Sequence, residues 1–192
     1  MRAHEAASSA RRKRLERYDD HGDARELTFS CYQRRPFLVR ERTRQWLCDA
    51  IARARSLHPF ELWAYVVMPE HVHLLVWPTQ PGDVVSRALA SIKQSVARRA
   101  VLYLRRRDPD GLGWLATGQR SKPLRFWQPG GGYDRNIERR TTLSLVVDYI
   151  HANPVRRGLV QTAEEWRWSS IHEWNRQGSG PIPLDQESFP NM

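Results

Sequence analysis

The chain has 192 residues, room for one domain of ordinary size with tails. Its 31 Lys and Arg against 21 Asp and Glu leave a net charge of +10, which favours a polyanionic partner, nucleic acid ahead of anionic membrane. No apolar run approaches the roughly 18 residues of a membrane span and no signal-peptide core opens the chain, so a soluble protein of the cytoplasm, associated with the nucleoid, is expected.

Residues 1–25 are polar and carry the basic run Arg11–Arg14. They read as a flexible basic arm, either solvated or touching phosphates. A strand is expected over roughly 26–33, then a helix from Arg40 to Leu57 with Trp46, Leu47, Ala50, Ile51 and Ala54 at helical spacing. Cys31 and Cys48 are the only cysteines, too few for a disulfide framework or a four-cysteine zinc site, and read as reduced structural thiols.

Two apolar runs, Leu62–Met68 and Val72–Trp77, flank Pro69-Glu70 and predict a hairpin of buried strands. The second strand opens His71-Val72-His73. Side chains alternate along a strand, so the two imidazoles share a face and make half of a divalent-metal site, or else a satisfied pair. Glu70 is placed to orient one of them, or simply to form the turn.

Pro81-Gly82-Asp83 predicts a turn with Asp83 as N-cap, and Val84–Tyr103 an amphipathic helix with Arg98 and Arg99 outside its apolar stripe. Residues 105–125, with Arg105, Arg106, Arg107 and scattered Gly and Pro, read as a mobile basic loop. Short extended pieces are expected at Phe126–Gln128 and Tyr133–Arg135, around Pro129-Gly-Gly-Gly132. A last long helix follows, with Thr141 or Thr142 as N-cap, the stripe Leu143, Val146, Val147, Ile150, and a stop at Asn153-Pro154. Tyr149 and Asn153 lie four apart on one face of it. Residues 161–192 form a Trp-rich extension and irregular tail beyond a core unit at 26–160.

The order strand, helix, strand, strand, helix, strand, helix fits an α+β fold, one antiparallel sheet of ferredoxin-like (RRM-like) type with helices on one face. The open face remains for a site or a nucleic acid. Single strands want basic grooves with aromatic platforms. Arg98, Arg99, Arg105, Arg106, Arg107, Arg125, Arg135, Arg156 and Arg157 supply charge, and Trp127, Trp166 and Trp168 supply ring faces, as a group. His151 and His172 receive no role.

Val66-Val-Met-Pro-Glu-His-Val-His-Leu-Leu-Val76, followed by Asp148-Tyr-Ile-His-Ala-Asn-Pro-Val155 and Gly158-Leu-Val160, resembles the REP-associated tyrosine transposases, of the HUH single-tyrosine superfamily. Phe126-Trp-Gln128, Tyr133-Asp-Arg135 and Trp168-Ser-Ser170 are similar to that group too, so the likeness covers roughly 26–174. The resemblance implies Mg²⁺ or Mn²⁺ on His71, His73 and Asn153, with Tyr149 as nucleophile and Tyr133 as the alternative. It also implies a hairpin-bearing single-stranded DNA of palindromic REP type as partner, and a monomer rather than the helix-exchanged dimer of related transposases.

The chemistry is coherent on general grounds. A phenol, with a pKa near 10, is a weak nucleophile at neutral pH. A divalent cation on the scissile phosphate stabilises the developing charge. Attack leaves the 5′ phosphate on tyrosine, so a second 3′-hydroxyl can reverse the step without ATP. A non-catalytic nucleic-acid module of the same fold, and a nuclease using metal-bound water with no covalent adduct, are the rival readings.

Overall fold

A computed structural model describes residues 22–190. The basic run at Arg11–Arg14 lies outside them. The sheet has four strands, β1 Ala24–Ser30, β2 Phe60–Val67, β3 His71–Pro78 and β4 Tyr133–Ile137, in the order β2-β3-β1-β4. All three pairings are antiparallel. With helices α1 Glu41–Leu57 and α2 Val84–Arg107 at the two crossovers, this is the expected ferredoxin-like arrangement.

Alternation along the strands builds two separate cores. Leu27 and Phe29 of β1, Tyr65 and Val67 of β2, and Val72, Leu74 and Val76 of β3 face α1 and α2. Ala64, Val66 and Met68 with Leu75 face the other way, against Leu143, Val146, Val147 and Ile150 of α3 Arg140–Arg156. The expectation of helices on one face therefore holds for α1 and α2, while α3 lies across the opposite face. It covers the β2–β3 half and leaves the polar residues of β1 and β4 beside an open pocket. The reason is local: on that face Ala64, Val66 and Met68 beside Leu75, with Ala24 and Ile137 at the strand ends, are apolar and take the helix, whereas His71, His73, Glu26, Thr28 and Arg135 are polar and line the pocket.

Several boundaries differ from expectation. β1 spans 24–30, because the chain then leaves the ladder in a tight turn where Gln33 and Arg34 take φ of 54° and 53°. α2 runs on through Arg105–Arg107, which belong to its last turn rather than to a loop. Three cations there oppose the negative end of the helix dipole, and Pro109 bars further extension. The rest of 105–125 is anchored rather than free. Pro109–Leu115 forms 3-10 turns, Leu115 is buried in the core, and Ala116 bridges Leu124.

Neither expected cap acts through its side chain. Asp83 occupies the N-cap position of α2, as expected, but its carboxylate pairs with Arg87 at 3.0 Å, and α3 begins at Arg140, ahead of Thr141. Pro154 does not stop α3, which continues to Arg156. The stop is a Schellman closure: Leu159 N–H donates to the Pro154 carbonyl (2.9 Å) and Gly158 N–H to that of Val155 (2.8 Å). Gly158 supplies the φ of 66° this requires.

The C-terminal segment is structural. Val67 N–H donates to the Trp168 carbonyl (2.8 Å) and Ser170 N–H to that of Tyr65 (3.0 Å), so residues 168–170 cover the outer edge of β2. Beyond α4 Ile171–Trp174, Asp185 accepts from Leu62 N–H and binds Arg55. Gly132 lets β4 approach β1: its φ is 83°, and a Cβ there would meet the Thr28 carbonyl oxygen at 2.1 Å.

Candidate active site

The β1–β4 half of the α3 face opens into a pocket of about 640 Å³. Adjacent strands carry its floor in register. His73 pairs with Thr28, and Thr28 with Tyr133, so the three stand in one row across the sheet. The next row along β1 holds Glu26 and Arg135, joined at 2.8 Å. On the other side of Thr28, Ser30 pairs with His71. α3 supplies the wall with Tyr149, Asn153 and Arg156, and Arg157 and Arg34 close the end.

Each histidine is fixed through its Nδ1. His73 Nδ1 lies 2.8 Å from Thr28 Oγ1, and His71 Nδ1 lies 3.0 Å from Glu70 Oε1. The rings stand edge to face, 4.8 Å between centroids. His73 Nε2 is buried and has no hydrogen-bond partner among the described residues. An orphaned imidazole nitrogen in a polar pocket is expensive unless a ligand completes it. Burial lowers the pKa of His71, against the opposing pull of Glu70. Burial also lowers His73, to about 3, with His71 and Arg34 adding to the effect. Both rings are therefore neutral at physiological pH, as a metal donor must be.

Asn153 lines the pocket and donates through Nδ2 to the Tyr149 carbonyl at 2.8 Å, so Oδ1 is its remaining acceptor. Among the described residues no group of three His, Cys, Asp or Glu could hold a metal. The donor set that fits is two imidazoles and a carboxamide oxygen, with positions left for water and phosphate. Tyr149 lines the pocket and is 40% exposed. Its ring stands edge to face with His73 at 5.7 Å, and the Arg156 guanidinium sits 4.9 Å from the ring centroid. Tyr133 is exposed on the far wall. Glu70 also binds Arg157 at 2.8 Å and approaches Arg34 at 3.7 Å. It thus ties the hairpin turn to the end of α3 as well as orienting a histidine.

The residues expected to bind DNA divide. Arg135, Arg156 and Arg157 line the pocket. Arg98, Arg99, Arg105, Arg106 and Arg107 lie on α2, across the sheet from it, and Arg99 pairs with Asp49 at 2.7 Å. Arg125 is half-buried. Trp127 and Trp168 are corrected: both are buried in the core, so neither offers a ring face for stacking. Trp166 is partly buried and donates to the Val67 carbonyl at 3.1 Å. Their indoles are the apolar mass that a small two-faced sheet needs. His151 is buried on α3, bound to Ser170 Oγ at 2.8 Å. Thr28, Ser30, Glu26 and Arg34 are pocket residues the motifs did not mark. The alternation Glu26, Thr28, Ser30 between Leu27 and Phe29 was the available signal.

A phenol on a helix, facing a strand-borne histidine pair over an antiparallel sheet, is the plan of the HUH single-tyrosine enzymes. No family model matches the chain. It is 30% identical over 139 residues to the REP-associated tyrosine transposase of Escherichia coli K12, covering 72% of this chain and 70% of that protein. A Haemophilus influenzae protein given the same family name is 27% identical over 142 residues, covering 70% and 76%. The structure of a REP-associated tyrosine transposase bound to a REP hairpin superposes with a TM-score of 0.66 at 26% identity, over 94% of this chain and 98% of that one. The chain belongs to the REP-associated tyrosine transposases.

Proposed function

We propose that the pocket nicks and rejoins single-stranded DNA carrying a hairpin, through a covalent 5′-phosphotyrosine on Tyr149. The orphaned Nε2 of buried, neutral His73, beside the accessible Tyr149, is the observation that carries this reading. His71 and His73 through Nε2, and Asn153 through Oδ1, would hold a Mg²⁺ or Mn²⁺ ion. Bound there, the ion would act as a Lewis acid on the scissile phosphate. Arg156 and Arg157 hold the phosphate against α3, and Arg34 and Arg135 line the remaining wall. The Tyr149 oxygen attacks phosphorus and gives up its proton, the P–O3′ bond breaks, and the departing O3′ takes a proton. A second 3′-hydroxyl reverses the step and frees the tyrosine.

The hairpin partner is supported by the hairpin-bound relative. A monomer is supported by geometry, since one chain brings its own tyrosine beside its own histidines. No helix among the described residues is long and apolar enough to cross a membrane, in keeping with the proposed cytoplasmic, nucleoid-associated location.

The test is incubation of the full chain with hairpin-bearing single strands and Mn²⁺, followed by a denaturing gel. A covalent protein–DNA species is expected from the parent and from Tyr133→Phe, and none from Tyr149→Phe, which should still bind. Cleavage without an adduct would favour a water nucleophile. An adduct lost in Tyr133→Phe alone would move the role to β4.

A further inference from the structure

Across the sheet from the catalytic pocket, a second groove of about 430 Å³ opens between α1, the end of α2 and the 3-10 turns at Pro109–Leu115. That volume is in the range of about 300–1,000 Å³ typical of small-ligand sites. Phe37, Trp46, Tyr103 and Phe126 line it, and Trp114 stands at its side 67% exposed. An indole that open, in a chain that buries Trp127 and Trp168, is not serving the core. The lining carries two guanidinium groups, Arg40 and Arg42, against one carboxylate. Arg42 lies 4.2 Å from the Tyr103 ring centroid, and exposed Arg40 has no acidic partner among the described residues. Asp108 is the only acidic residue of the lining. Arg42 is engaged by the Tyr103 hydroxyl and ring, so Arg40 is the guanidinium left for a ligand, and aromatic faces beside it complement a flat base flanked by a phosphate.

The two sites meet at one turn. Arg34 faces the catalytic pocket and Glu70. Arg35, the next residue, donates to the Trp114 carbonyl at 2.5 Å. Gln33 and Arg34 both hold φ near +54°, at 54° and 53°. Such a pair of left-handed, non-glycine residues persists only where the surroundings over-determine it. Gln33 N–H is pinned to Gln128 Oε1 at 3.1 Å. The turn thus presents consecutive cations to opposite sides of the sheet edge.

We propose that this groove binds an unpaired nucleobase of the DNA strand leaving the catalytic pocket, which passes over Arg34 and Arg35 and stacks a base on Trp114, with a flanking phosphate on Arg40. The proposal rests on the reading of DNA as substrate and adds a site for the single-stranded flank of the hairpin.

The test uses the full chain carrying Tyr149→Phe, so that no cleavage intervenes. Probes are a synthetic hairpin with a single-stranded flank bearing 2-aminopurine at successive positions, and the same hairpin without the flank. One flank position should be quenched on binding. Trp114→Ala should abolish that quench and weaken the flanked hairpin about tenfold, with the flankless hairpin held within about twofold. Trp114→Phe should retain the quench. Equal weakening of both hairpins, or no change in either, overturns the proposal and leaves the groove to a protein partner. If both hairpins bind and no position is quenched, the groove alone is refuted. If neither hairpin binds, the substrate reading beneath it has failed and the groove falls with it.

Discussion

His73 is gripped at one nitrogen and left open at the other. Thr28 Oγ1 stands 2.8 Å from Nδ1, so the proton belongs on Nδ1 whenever Nε2 meets a cation. Thr28 therefore acts as a positioning residue for the ring. Thr28→Val should leave Nδ1 buried and unpartnered, at a cost of about 1–3 kcal/mol in stability. Mn²⁺ affinity, measured by calorimetry without DNA, should fall about 10–100-fold, and Thr28→Ser should restore it. Unchanged affinity in the valine variant would remove Thr28 from this role. The histidine pair was readable from the sequence because a period of two needs no tertiary information. Thr28 was not, because its partner lies 45 residues away and only the β1–β3 register joins them.

At the scale of elements, α3 does two jobs with one helix. Leu143, Val146, Val147 and Ile150 bury one stripe against β2 and β3, and Tyr149 and Asn153 border the pocket beside it. The phenol is thus placed by packing one residue away. Ile150 is fully buried, and Ile150→Ala should cost about 2–5 kcal/mol. It should also lower the rate of adduct formation in protein that remains folded, since the helix carrying Tyr149 loses its deepest contact. A destabilised variant with an undiminished single-turnover rate would show that α3 placement depends on its Arg157–Glu70 end instead. The motif order marked α3 and its tyrosine. Its continuation through Pro154 was not legible, because the Schellman closure needs the Gly158 conformation, which depends on the whole turn.

For the whole molecule, two charge effects follow. The pocket lining gathers four arginines against one carboxylate, Glu26, while Glu70 outside the lining pairs with Arg157 and approaches Arg34. Phosphate contacts by all four would give a slope of about −3 in log K against log salt for a single strand. A flat response would exclude the pocket as the DNA site. Acid lability is the second effect. Burial holds His151 at about 4 and His73 at about 3, below the roughly 6.5 of an unfolded histidine. As pH falls below about 6.5, the unfolded chain binds protons that the native one refuses, so stability present at neutral pH is lost on the way down. Between pH 7 and 5, His151 alone should remove about 2 kcal/mol. Urea unfolding at the two pH values measures this, and His151→Gln should remove that share of the decline.

The order of elements, the hairpin with its paired imidazoles, the apolar stripes and the excess of positive charge were all determined by the sequence. They depend on periodicity and on residue type within a few positions. The face taken by α3, the burial of Trp127 and Trp168, the anchoring of 108–125 and the row His73-Thr28-Tyr133 were decided only in three dimensions. Each depends on which parts of each sheet face are apolar, and on a register that unites residues far apart along the chain.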